Sequence, residues 1–162
     1  MNKTRRFTAR LLGVITLALS IAGICATAQS QPPGLSAPVE GSWISAVTGI
    51  QNPAVSFTTL VSFAAGGVFV ATGSNDRIIP NSPLYGSWKR TGSNRFGVTA
   101  YFFTFDPTGT PIAMLRTNQD LQLNNSDKLV GTGDLSFCDL NGNNCNPIDG
   151  ANIQLVGKRI VP

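Results

Sequence analysis

The chain has 162 residues, 42% of them hydrophobic and only 12% charged, with no histidine. Without histidine, the commonest general base at neutral pH and the commonest metal ligand are both missing. Lys3, Arg5, Arg6 and Arg10 carry the whole formal charge of +4: the twelve Lys+Arg less these four leave eight, equal to the eight Asp+Glu. Beyond residue 28 the chain lacks the basic excess of a nucleic-acid or anionic-membrane binder, so neither partner is expected.

The basic start precedes an apolar run over residues 11–26, and Ala26-Thr27-Ala28 supplies a small-x-small peptidase pattern. These are the parts of a secretory signal peptide, so residues 1–28 are read as removed on export, giving a periplasmic or extracellular protein. The alternative is a retained anchor. The run is shorter than the roughly 20 residues of a membrane span, and it contains Thr16 and Ser20. Lipid attachment at Cys25 is disfavoured by Ile24, where a small residue is wanted. Residues 29–40, with Pro32, Pro33 and Pro38, read as a flexible lead-in. Residues 41–162 then form one domain whose chain is not expected to insert into a membrane.

From Gly41 on, β-branched and aromatic residues recur at short spacing between turn signals, predicting strands near 41–49, 55–64, 67–73, 84–90, 95–105, 111–123, 128–140 and 150–160. No stretch keeps a helical period. Most connections are two to five residues; residues 73–83, with Pro80 and Pro83, are longer. Eight sequential antiparallel strands would leave two open edges unless the sheet closes, so an all-β, eight-stranded up-and-down barrel is expected, with a two-sheet sandwich as the alternative.

Two turns set a register for the middle of the sheet. A two-residue turn at Gly92-Ser93 pairs Thr91 with Asn94, hence Trp88 with Gly97 and Tyr85 with Ala100. A turn at Asp106-Pro107-Thr108-Gly109 pairs Asp106 with Thr110, hence Phe102 with Met114 and Ala100 with Arg116. One face then carries Tyr85, Phe96, Val98, Ala100, Phe102, Met114 and Arg116, the other Leu84, Trp88, Tyr101, Phe103 and Leu115. Both faces are apolar, so the outer one needs a cover. A second copy of the chain, making a homo-oligomer, is favoured over the 73–83 loop or the N-terminal segment.

Asn141-Gly142 suits a type I′ turn, placing Cys138 opposite Cys145 within bridging distance in an oxidising compartment. A disulfide stapling the hairpin is expected rather than a redox pair, because nothing basic lies nearby to stabilise a thiolate. Asp139, Asn141 and Asp149 invite a calcium reading. The loop fails the EF-hand pattern at Asn144 and Gly150, however, and turn chemistry accounts for the same residues. No metal or cofactor is expected.

No nucleophile elbow, phosphate loop or ligand cluster is present, so catalytic residues are not identified. Tyr85 and Arg116 converge over Ala100 in this register; inside a barrel they would orient the polar end of a ligand. The structural alternative pairs Arg116 with a carboxylate or sends it to the rim. Phe57, Val61, Phe102 and Met114 complete the expected lining, while Trp43 and Trp88 read as core plugs.

Gly41-Ser42-Trp43 on the first strand and Arg159 on the last resemble the lipocalin-like (calycin) pattern, in which such a tryptophan and basic residue meet at the closed end of an eight-stranded barrel. Size and short hairpins also resemble small bacterial barrels related to allene oxide cyclase. Both resemblances imply an internal apolar cavity. The expectation is a secreted barrel binding a small, largely hydrophobic molecule. The alternatives are a metal-free cyclase or isomerase using Tyr85 or Arg116, and an envelope structural or interaction protein with a filled barrel.

Overall fold

The computed structural model describes residues 38–75, 80–124 and 127–161; residues 1–28 and most of the proline-rich segment lie outside them. Nine strands form: β1 (Gly41–Gly49), β2 (Ser56–Ala64), β3 (Val68–Gly73), β4 (Leu84–Arg90), β5 (Arg95–Phe105), β6 (Pro111–Leu123), β7 (Lys128–Cys138), β8 (Asn146–Pro147) and β9 (Ile153–Arg159). Alternation drives them. In β1, Trp43, Ser45 and Val47 are buried while Ser42, Ile44 and Ala46 between them are exposed, as a pleated strand with one wet face requires.

The eight long strands pair antiparallel in sequence order, and β1 also pairs with β9 while β7 pairs with both β6 and β9. The sheet therefore closes into an eight-stranded barrel and not a sandwich, which leaves no long edge unpaired. β9 pairs only with residues 128–133 of β7, and the two-residue β8 covers Ser136 and Phe137 beyond them.

One end of the barrel is plugged. Phe63, Phe69, Trp88 and Phe96 meet edge to face, with centroids 5.3 Å apart for Phe63–Phe69, 6.1 Å for Phe63–Trp88 and 6.0 Å for Trp88–Phe96. Both indoles are satisfied: Trp43 Nε1 donates to the Val39 carbonyl at 2.9 Å and Trp88 Nε1 to the Ala64 carbonyl at 3.0 Å. Val39 is fully buried, so the end of the proline-rich segment belongs to the core and is not a free lead-in. Inward glycines let the strands crowd. A Cβ at Gly157 would stand 2.6 Å from Ser45 Oγ, and one at Gly86 would run into the Thr99 carbonyl and Ala100.

The expected strand set stands, but the register of the middle sheet is corrected by one residue on each side of β5. Thr91 pairs with Arg95, not Asn94, because the connection holds three residues; Trp88 therefore faces Val98 rather than Gly97, and Tyr85 faces Tyr101 rather than Ala100. At the other turn Asp106 does pair with Thr110, but a bulge at Thr104/Phe105 absorbs one residue. Phe102 thus faces Leu115 rather than Met114, and Ala100 faces Thr117 rather than Arg116. A slip of one turns a whole strand over.

Cys138 and Cys145 form a disulfide with Cα atoms 4.0 Å apart. The turn inside it is not type I′. Asp139 N–H donates to the Asn143 carbonyl at 2.9 Å across Leu140, Asn141 and Gly142, with Gly142 at φ 78°. Asp106 and Thr110 repeat this arrangement around Gly109 at φ 84°. In both turns the aspartate Oδ1 accepts from the backbone N–H groups of the third and fifth residues, at 3.0 and 2.8 Å for Asp139 and 2.8 and 2.9 Å for Asp106. Glycine serves there because the left-handed position penalises a Cβ.

Candidate functional site

Above the aromatic plug the barrel opens into a cavity of about 230 Å³. It sits where β1, β3, β5 and β7 end and β2, β4, β6 and β9 begin. The wall is built by inward positions: Val47, Val61, Ala71, Phe102, Leu115 and Leu155, with Phe57 and Ile153 nearer the opening. Ala71 and the adjacent Gly73 leave the space that larger side chains fill at the plugged end.

The rim is set in part by residues 80–83. Ser82 N–H donates to the Phe103 carbonyl, Phe105 N–H to the Pro80 carbonyl, each at 2.9 Å, and Asn81 bridges Thr104. This prolongs β4 along β5 and brings Asn81 and Asn75 to the opening.

Five polar side chains interrupt the apolar lining: Thr59, Thr117 and Gln119 in the wall, and Asn75 and Asn81 at the rim. Thr59 Oγ1 donates to the Ser45 carbonyl at 3.4 Å. Gln119 is buried. Thr117 is 1% exposed, and its Oγ1 meets no hydrogen-bond partner among the described residues; neither does Asn81 Oδ1. Among the described residues, no Asp, Glu, Lys, Arg or Tyr lines the cavity.

Of the expected lining, Phe57, Val61 and Phe102 face this cavity. Tyr85, Arg116 and Met114 do not, and their inward placement is corrected. Register pairs Tyr85 with Tyr101 and Tyr101 with Arg116, forming one row on the outer wall where Tyr85 is 61% exposed. Met114 lies in the next outer row, opposite Phe103 and Cys138. The disulfide loop leans over this outer region: a Cβ on Gly142 would stand 3.3 Å from Met114 Sδ and 3.8 Å from Tyr101 Cε1. Arg116 forms no ion pair among the described residues, and its buried Nε has no partner. Sequence reasoning missed Thr117 and Asn81. Thr117 belongs to the series Leu115, Thr117, Gln119, Leu121, Leu123, whose period of two marks an inward face once the register is right.

A larger depression of about 600 Å³ crosses the outer wall over β4 to β7. Its central side chains already satisfy each other: Thr99 Oγ1 donates to Asn118 Oδ1 at 3.0 Å and Asn118 Nδ2 to Asp134 Oδ1 at 3.3 Å. The interior cavity is the better candidate, because enclosure removes a ligand from water on most sides. The calcium reading gains nothing from the disulfide loop, where Asp139 Oδ2 accepts from Asn144 Nδ2 at 2.8 Å and Oδ1 accepts from two backbone N–H groups.

No family model matches this chain, and no solved structure matches it. A stretch of 76 residues is 36% identical to part of a probable potassium transport system protein Kup of Thiobacillus denitrificans. The match covers 47% of this chain and 12% of that protein, too little of either to place the two in one family.

Proposed function

We propose that this is an exported β-barrel protein that binds a small, largely hydrophobic molecule in the open half of its interior. The observation that carries the reading is the cavity itself, apolar over most of its wall and reached by Phe69 of the aromatic plug. An apolar cavity of roughly 150 Å³ holds a benzene molecule in another protein; about 230 Å³ admits one ring with small substituents. The disulfide suits an oxidising compartment, and no helix among the described residues is long and apolar enough to cross a membrane. The placement of Arg159 over Trp43 at the plugged end supports the likeness to lipocalin-like barrels.

A cyclase or isomerase is less well supported, since Tyr85 and Arg116, the groups that reading needs inside, stand outside. A wholly filled barrel accounts for the plugged half but not for the open one.

Native mass spectrometry of protein purified from its source tests the proposal, with the cavity-filling variant Ala71→Phe beside it. The expected result is a small co-purified mass that Ala71→Phe lacks. Neither protein carrying or binding any apolar compound would contradict the proposal.

A further inference from the structure

We infer that the ligand is elongated: a head of single-ring size sits in the cavity, and an apolar tail of several carbons leaves the mouth and lies over Phe137. The inference rests on the binding reading above and narrows it to a ligand shape.

The burial pattern of β7 carries the argument. From Leu129 to Leu135 the inward residues are covered at least as well as their outward neighbours, but at Ser136 the pattern inverts. Ser136 and Cys138, on the outward side, are buried, whereas Phe137, on the inward side, is 49% exposed. Register fixes the direction of Phe137: it pairs with Leu115, and opposed residues share a face. Leu115 and Leu135, its neighbours across and along the sheet, both line the cavity. Phe137 therefore continues that lining above the mouth.

This wall stands tall for a structural reason. β9 stops pairing with β7 at Gly133, while β7 runs five residues further, or about 16 Å at roughly 3.3 Å per residue. There β8 takes over, with Asn146 opposite Phe137, and the Cys138–Cys145 bridge ties the two segments together. A half-bare phenylalanine is thereby fixed beside the opening. Val55, also part of the lining, is 47% exposed, so apolar surface continues out of the cavity beside β2 as well as beside β7.

The cavity volume sets where the tail begins. About 230 Å³ encloses one ring with small substituents, so a longer molecule must emerge. Each methylene taken from water strengthens binding roughly fourfold, and a phenylalanine, with roughly 150–250 Å² of surface to bury, supplies cover for several. The occupant is the ligand's own tail because the exposed ring is continuous with the cavity lining through Leu115 and Leu135.

Partitioning of toluene and pentylbenzene from the vapour into the protein tests this. Pentylbenzene, longer by four methylenes, is expected to bind the wild type about tenfold or more tighter than toluene. Phe137→Thr should weaken pentylbenzene about fivefold or more and leave toluene within twofold, and Phe137→Leu should keep most of the preference. Toluene fits wholly inside, so its unchanged uptake separates loss of the tail contact from damage to the barrel. Pentylbenzene binding no tighter than toluene, an unaltered preference in Phe137→Thr, or a parallel loss of both compounds in that variant overturns the elongated ligand while leaving the binding cavity in place. If neither compound binds the wild type, the tail and the cavity reading fall together.

Discussion

The guanidinium of Arg159 lies 4.4 Å from the centroid of the Trp43 ring, and the two residues are register partners across the β1–β9 seam. The same guanidinium donates to the Glu40 carbonyl at 2.6 Å and to the Pro38 carbonyl, and pairs with Asp127 at 3.4 Å. One side chain thus joins the first long strand, the last one and the segment ahead of both.

Arg159→Ala should therefore cost more than a surface ion pair. A partly buried cation–π contact contributes up to ~2 kcal/mol, and hydrogen bonds from a charged donor about 1.5–3 kcal/mol. Because these are not additive, the expected loss is about 2–4 kcal/mol. Arg159→Lys should recover only part, since lysine keeps the charge over the ring but not the fork of donors. Chemical denaturation measures both; a loss below about 1 kcal/mol for Arg159→Ala would show that the seam does not depend on this residue.

Breaking the disulfide should loosen the outer loop without emptying the barrel. A bridge between residues seven apart closes a short loop, for which chain entropy predicts about 2.5 kcal/mol. The double variant Cys138→Ser, Cys145→Ser should melt at a lower temperature than wild type and still take up toluene within twofold of it. Loss of uptake in a folded variant would place the loop's influence inside the cavity, against this account.

Acid should weaken the two matching aspartate turns. The Thr108 side chain and then the Thr110 backbone N–H hold the Asp106 carboxyl below its ordinary value of 3.8. The Asn143 backbone N–H first, with Asn144 and Asn141, does the same for Asp139. Both groups are depressed in the folded state, so their contribution is complete above about pH 3.8 and disappears as pH falls through the lower folded values. Asp106→Asn and Asp139→Asn should each flatten the decline of melting temperature below pH 4. An unchanged slope would mean these hydrogen bonds do not prefer the charged carboxylate.

Tyr85→Phe and Arg116→Ala should leave toluene uptake within twofold of wild type, because both side chains stand outside the wall. A tenfold loss in either, with folding intact, would return these residues to the interior and reverse the register.

That register is where sequence and structure part. The strands were legible because alternating apolar and turn residues repeat along the chain, and the disulfide because six residues between the cysteines fit a hairpin. The two turns left open which face of β5 is inward; the structure turns Phe96, Val98, Ala100 and Phe102 inside. What failed was the alignment of its neighbours. Gly92-Ser93 looks like a complete two-residue turn, yet Asn94 joins it and moves β4 by one residue. On the other side nothing in Thr104-Phe105 announces a bulge, which moves β6 likewise. Tyr85, Met114 and Arg116 consequently left the interior, and Leu115 and Thr117 entered it.

The most direct measurement is a set of intermolecular nuclear Overhauser effects between toluene and the methyl-labelled protein. The account predicts cross-peaks to Val61, Ala71, Leu115 and Leu155, and none to the exposed Ile112 or Val156 of the outer wall. Cross-peaks confined to outer-wall methyls, or none at saturating toluene, would contradict a ligand-holding interior.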